Sequence, residues 1–80
     1  MNTLECKTAI QYIKNWIANY NKKAVIENRF SQRERTIWIA QLNAMIALYN
    51  HLDTPHKFEM CDEKDVILEL RYKDVSDVKA

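Results

Sequence analysis

Glycine is absent from this chain of 80 residues, and proline occurs only once, at Pro55. Phosphate-binding loops, dinucleotide-binding turns and nucleophile elbows all depend on glycine, because a Cβ atom would keep the backbone away from the ligand. The sequence therefore argues against these enzyme classes. Cysteine is also scarce. Cys6 and Cys61 match no zinc-ligand spacing, and without an export signal two free thiols are favoured over a disulfide.

Long apolar runs are missing as well. No stretch is apolar for the length needed to cross a bilayer, and residues 1–5 have neither the basic region nor the apolar core of a signal peptide. We therefore expect a cytoplasmic protein that does not insert into membranes. The length fits a single domain over residues 1–80 with a thin core, and 48% hydrophobic and 29% charged residues are typical of a globular chain.

The first periodic segment predicts a helix over residues 3–20. At about 100° per residue, seven side chains fall in one apolar stripe: Cys6, Ala9, Ile10, Ile13, Trp16, Ile17 and Tyr20. Asn21 is a residue type that suits a left-handed helix stop. Residues 21–30 show no clear period and predict a connection whose apolar side chains cover the helix ends.

A second helix is predicted over residues 31–52. It begins with a capping box, in which the Ser31 side chain accepts from the amide of Glu34 and the Glu34 side chain accepts from the amide of Ser31. Its apolar arc is about 220° wide, so it must be covered on two sides, one of them by helix 1. One side of the arc holds Ile37, Ala44, Leu48 and Leu52, and the arc continues through Trp38, Ile39, Leu42, Met45, Ile46 and Tyr49.

Beyond helix 2 the pattern changes from helical to alternating. Residues 53–55 predict a break, because a proline pushes the residue before it out of the helical conformation. Apolar and polar residues then alternate over 57–61 and over 66–73. This alternation predicts a β-hairpin over residues 57–73, followed by a tail at 74–80.

The register of that hairpin follows from its apolar residues. Both apolar sets share one face only if Met60 pairs with Leu68 or with Val66. A short helix that starts at Thr54 is the alternative for residues 54–62. The predicted fold class is α+β, an antiparallel helix pair followed by a C-terminal β-hairpin in the order α-α-β-β.

Side chains that could carry chemistry are few and scattered. Four possible metal ligands surround the predicted end of helix 2: His51, Asp53, His56 and Cys61. Their spacing matches no zinc pattern, and a histidine at a helix C-terminus is already favoured by the helix dipole. Acid–base catalysis needs a concave site that shifts a pKa, and a chain of this size has little volume left for one. We predict no enzyme activity, no cofactor and no metal site.

Basic residues gather between the helices and at the start of helix 2. The members of this basic cluster are Lys22, Lys23, Arg29, Arg33 and Arg35. Such a cluster could contact phosphates, which makes a small nucleic-acid-binding regulator one hypothesis. The net charge of +1 and the apolar character of helix 2 make it the weaker one.

Surplus apolar surface on a small chain without catalytic motifs favours protein binding. We predict a non-enzymatic regulator or inhibitor that acts on another protein and forms a homodimer, with a subunit of a larger assembly as a third hypothesis. Ile, Asn and Lys make up 23 of the 80 residues. That composition, in a small glycine-free chain, is typical of phage and mobile-element accessory proteins that target host proteins. The predicted partner-binding residues are Tyr12, Arg33, Arg35, Trp38, Met45, Tyr49 and Tyr72.

Overall fold

The computed structural model describes residues 3–52, 54 and 56–73. Helix α1 spans Thr3–Tyr20, a π-helical segment follows at Asn21–Ile26, and helix α2 spans Gln32–His51. Both α-helices begin and end within one residue of the ranges that the sequence pattern predicts. The described chain after α2 has no regular secondary structure.

The two helices form an antiparallel hairpin. The rings of Trp16 and Trp38 lie 4.6 Å apart, between centroids, near the connection. Further from the connection, Ala9 and Met45 line the same groove. Residue numbers therefore fall along one helix as they rise along the other. Phe30 adds a third ring, 5.2 Å from Trp38, which packs the connection against both helices.

The predicted capping box at the start of α2 is confirmed. The Glu34 backbone N–H donates to Ser31 Oγ at 3.2 Å, and the Ser31 backbone N–H donates to Glu34 Oε1 at 2.9 Å. The Ser31 backbone bond, with the Ser31 side chain second, lowers the pKa of Glu34. A carboxylate whose pKa is lowered by folding stabilises the protein above its unfolded pKa, and the stabilisation disappears as the pH falls through the lowered value.

Replacing this serine tests the cap directly. Ser31→Ala should lower the free energy of unfolding by about 1 kcal/mol, because an amide of the first turn loses its acceptor. Ser31→Asp, which restores an acceptor, should recover most of this loss. Urea unfolding followed by circular dichroism measures both values. Since Ser31 acts as a cap, partner binding per folded molecule should not change; loss of binding at unchanged stability would give Ser31 a functional role instead.

The connection differs from its prediction at Asn21. The helical path does not stop there but continues as the π-helical segment, and the left-handed residue is Asn28, with φ of 51°. Asparagine tolerates this conformation better than most residues, which suits a chain without glycine. The Arg35 guanidinium donates to the Ala24 carbonyl at 2.7 Å and to Asn28 Oδ1 at 3.2 Å. It thereby ties the connection to α2.

The predicted β-hairpin over residues 57–73 is wrong, and so is the α+β fold class. Within residues 3–52, 54 and 56–73 the structure contains no strand, and the fold is a helical hairpin. One antiparallel bridge joins Phe58 to Tyr72, with hydrogen bonds from Glu59 N to Arg71 O and from Lys73 N to Lys57 O. Neither predicted register occurs, because extending this bridge would place Met60 opposite Leu70.

The alternative of a short helix over residues 54–62 is wrong as well. Thr54 and residues 56–62 are not helical, and Pro55 lies outside the described residues. The predicted tail at 74–80 also lies outside them.

Asparagine side chains fasten the C-terminal segment, residues 56–73, to the rest of the fold. Three asparagines each bond the backbone N–H and C=O of one buried residue at 2.7–3.0 Å: Asn50 binds Phe58, Asn43 binds Cys61 and Asn21 binds Leu68. We call these three pairs the amide clamps. Backbone groups of the C-terminal segment thus find their partners in side chains of α2 and of the π-helical segment.

The core lies between the helical hairpin and the C-terminal segment, which supplies the second cover of α2. Its buried side chains are Cys6, Ile13, Ile17, Tyr20, Ala24, Ile39, Leu42, Ile46, Tyr49, Phe58, Cys61 and Leu68. Cys61 occupies the place that the alternation assigned to Met60, whose side chain is 49% exposed. Val66, assigned to the same apolar face, is 73% exposed. Both cysteines are free thiols.

Candidate partner-binding surface

An open apolar groove of about 370 Å³ runs between the two helices near the end of α2. Its lining is Thr8, Ala9, Tyr12 and Ile13 from α1, with Met45, Leu48, Tyr49 and Leu52 from α2 and its C-cap. No charged side chain is among them. We call this feature the helix groove. Its concave, apolar lining is of the kind that receives a side chain or helix of a binding partner.

The rim of the helix groove consists of large exposed side chains. Tyr12, Leu48 and Leu52 are 59%, 62% and 40% exposed. Scattered apolar residues on a protein surface are normal, whereas these three are grouped around one groove, which makes the groove the candidate interaction site of the described chain. Leu48 lies in the last turn of α2 and Leu52 is its C-cap residue, while Tyr12 lines the groove from α1, so the rim is built by both helices.

The floor of the groove is fixed by the core. Tyr49 is only 2% exposed, and its ring lies 5.3 Å from that of Phe58, between centroids. Desolvation by burial raises the pKa of Tyr49, and the nearby Cys6 thiol adds to this effect. The phenol therefore stays neutral, and the floor presents no charge to a ligand.

The structure brings only part of the predicted partner-binding set together. Tyr12, Met45 and Tyr49 all line the helix groove. Trp38 is half-buried between Trp16 and Phe30 at the other end of the hairpin.

The remaining predicted residues lie elsewhere. Arg33 is exposed in the first turn of α2, and Arg35 is bonded to the connection. Tyr72 is 62% exposed on the C-terminal segment, where its ring packs on Phe58 at 5.0 Å.

Two residues of the groove rim were not among the predicted partner-binding residues. Leu48 and Leu52 were assigned to the apolar arc of helix 2 as residues that need covering. No separate sequence signal marks these two residues as exposed. Residues 36–50 contain no Asp, Glu, Lys or Arg, so the outward side of α2 is as uncharged as its inward side.

The basic cluster is partly engaged within the molecule. Arg29 forms an ion pair with Glu27 at 3.3 Å, and Arg35 holds the connection. Lys22, Lys23 and Arg33 are exposed. Arg29 is exposed as well, with its side chain 70% accessible despite the ion pair, so Arg35 is the one member of the cluster that the described chain holds inside the fold.

The possible metal ligands do not form a site among the described residues. No group of three or more metal-ligating side chains occurs there. His51 is exposed, the His56 ring packs against Tyr72 at 5.1 Å, and Asp53 lies outside the described residues. Cys61 is buried, and its thiol donates to the Glu69 carbonyl at 3.7 Å. Desolvation by burial raises the pKa of Cys61, which keeps it a protonated and unreactive thiol.

No family model, curated protein or solved structure matches this chain. Neither described helix combines the length and the apolar character that spanning a bilayer would require.

Proposed function

We propose that this protein is a small, non-enzymatic regulator or inhibitor that acts by binding another protein. The helix groove is the observation that carries the proposal, because it joins three large exposed apolar side chains to an uncharged concave floor. A cytoplasmic location and an origin as a phage or mobile-element accessory protein that targets a host protein are parts of the same proposal. The proposed origin is supported by the amino-acid composition of the chain.

The expected binding mode is an apolar anchor or an amphipathic helix of the partner laid into the helix groove. Tyrosine is among the residues that most often dominate interface energetics, since it buries a large area with few rotatable bonds. Tyr12 is therefore the expected hot spot, and Leu48 and Leu52 complete the enclosure around it.

Nucleic-acid binding through the basic cluster receives less support. Arg35 is engaged within the molecule, Glu27 offsets part of the charge of Arg29, and the net charge of the chain is only +1. No specific observation favours membership of a larger assembly over binding to a single partner.

Substitution of the two most exposed tyrosines tests the proposed function. The wild-type chain is used to capture a partner from nuclease-treated native extract, and the affinity of the purified partner is then measured by surface plasmon resonance. Tyr12→Ala should raise Kd about 30-fold, mainly through faster dissociation, because a hot-spot side chain is lost. Tyr72→Ala is the control, since Tyr72 is equally exposed but lies outside the groove; because its ring also packs on Phe58, both affinities are compared per folded molecule.

Two outcomes would contradict the proposal. One is a purified partner whose affinity is unchanged by Tyr12→Ala and by Leu48→Ala while both variants stay folded. The other is specific, submicromolar binding to a defined DNA or RNA at physiological salt, with a steep salt dependence.

A further inference from the structure

Residues 69–73 present a backbone edge whose hydrogen-bonding groups have no partner in the described chain. The bridge between Phe58 and Tyr72 is closed by hydrogen bonds between the residues that flank them, so the N–H and C=O of the two bridged residues point away from each other. The outward groups of Phe58 are bonded to Asn50. Those of Tyr72, a residue that is 62% exposed, have no bond within the part of the chain that the structure describes.

Leu70 continues this edge. The carbonyls of Glu69 and Arg71 both accept hydrogen bonds from the stretch 57–61, so both point toward that stretch. Because backbone groups alternate in direction along an extended chain, the N–H and C=O of Leu70 point to the same side as those of Tyr72. Neither group of Leu70 is bonded among the described residues. We call the outward N–H and C=O groups of Leu70 and Tyr72 the free edge; such an edge is a template for pairing with another chain.

We propose that a second copy of this chain pairs with the free edge, antiparallel and about a two-fold axis at Arg71. In this register Leu70 of each copy lies opposite Tyr72 of the other, so every N–H and C=O of the free edge finds a partner. A register centred on Leu70 would instead place Tyr72 opposite Leu68, whose N–H and C=O are already bonded to Asn21. The bonds within one copy therefore favour the register centred on Arg71.

The charges beside the free edge indicate a second copy as its occupant. In the proposed register Glu69 of each copy lies opposite Lys73 of the other, and both residues are exposed. Opposite charges directly across an antiparallel pair stabilise it. Arg71 meets its counterpart at the axis, but its Nε lies 3.8 Å from Oε1 of its own Glu69, which offsets part of that repulsion. The segment is thus complementary to itself in hydrogen bonds and in its outer charges, as a two-fold interface requires.

The short length of the free edge sets the expected strength of the dimer. Pairing is limited to about five residues of each copy, which places the contact below the size of standard specific interfaces. We therefore expect a weak dimer, with Kd on the order of 0.1–1 mM.

Amide hydrogen exchange of the purified chain, followed by NMR, tests the backbone pairing directly. Between about 20 μM and about 2 mM protein, protection of the Leu70 and Tyr72 amides should rise at least about 2-fold, because these amides gain acceptors only in the dimer. The Lys73 amide is the internal control. It is bonded to the Lys57 carbonyl within one copy, so its protection should not depend on concentration.

Exchange of the charges tests the register. Glu69→Lys and Lys73→Glu should each raise the dimer Kd about 10-fold, because like charges then face each other on both sides of the axis. An equimolar mixture of the two variants should restore the dimer, since opposite charges meet again at both positions. Sedimentation equilibrium measures these values as the shift from 9.5 kDa to twice that mass.

The matched control is Glu63→Lys, which makes the same change of charge at an exposed position of the same segment. This variant should dimerise like the wild type, and circular dichroism should show all variants equally helical. The proposal is overturned by a wild-type chain that stays monomeric, by a dimer that Glu69→Lys does not weaken, or by equal weakening through Glu63→Lys. Protection of Leu70 and Tyr72 that arises only with a foreign protein overturns it as well. The test uses the purified chain alone, so its failure is distinct from failure of the proposed function.

Discussion

Replacing Phe58 by alanine is expected to lower the free energy of unfolding by about 3–5 kcal/mol. Phe58 is 2% exposed, and its ring packs between those of Tyr49 and Tyr72. Removing it leaves a cavity between α2 and the C-terminal segment that neither element can fill by itself. A loss of this size is a large part of the stability expected for a small domain.

The comparison for Phe58→Ala is Ile67→Ala in the same segment. Ile67 is 54% exposed, so this change should alter stability by less than about 0.5 kcal/mol. Urea unfolding gives both values. In the Phe58→Ala variant, hydrogen exchange should also show that the amides of residue 58, Cys61 and Leu68 lose protection before the amides of the two helices do. Equal stability of the two variants would mean that the C-terminal segment is not part of the core.

Removing an amide clamp should be nearly as costly. Asn50→Ala is expected to lower the free energy of unfolding by about 2–4 kcal/mol, because the N–H and the C=O of Phe58 each lose a partner, at about 1–3 kcal/mol per group. These two bonds measure 2.9 and 2.8 Å. Urea unfolding of the variant provides the measurement.

Two further variants make the Asn50 experiment specific. Asn15→Ala changes the same residue type at an exposed position of α1, and it should alter stability by less than about 0.5 kcal/mol, because the exposed bond from Gln11 is lost while alanine is the better helix former. Asn50→Asp keeps an acceptor for the Phe58 N–H but loses the donor to its carbonyl. At acidic pH the introduced carboxyl is protonated and can donate to the Phe58 carbonyl. The difference in free energy of unfolding between Asn50→Asp and the wild type should therefore become smaller as the pH falls. A loss for Asn50→Ala no greater than for Asn15→Ala would show that the clamp does not stabilise the fold.

The helices were predictable because their signals are local. The apolar stripe of α1 repeats every three to four residues, and the capping box of α2 needs only Ser31 and Glu34. The seven residues of the predicted stripe of α1 are buried or half-buried. Asn21 shows where local signals are insufficient: a residue suited to ending a helix instead lies in the π-helical segment, where its amide is bonded to the backbone of Leu68.

The candidate site was predictable only in part. Tyr12, Met45 and Tyr49 were singled out as large side chains suited to interfaces, and they line the helix groove. Leu48 and Leu52 carry no separate signal, since an apolar residue on a wide arc looks the same whether it is covered or exposed. Arg35 looked like a phosphate ligand, but its position opposite Ala24 and Asn28 follows from the bend of the connection.

By itself the sequence determined the two helices, their limits and the start of α2, and its lack of glycine argued against the glycine-dependent catalytic loops. Only the tertiary structure decided the path of residues 56–73. Alternation of apolar and polar residues predicted strands there, yet the amide clamps join residues 8, 18 and 47 positions apart, and no local pattern encodes such pairs. The tertiary structure likewise decided which apolar residues of α2 stay exposed, because coverage depends on where the neighbouring elements lie and not on the helix alone.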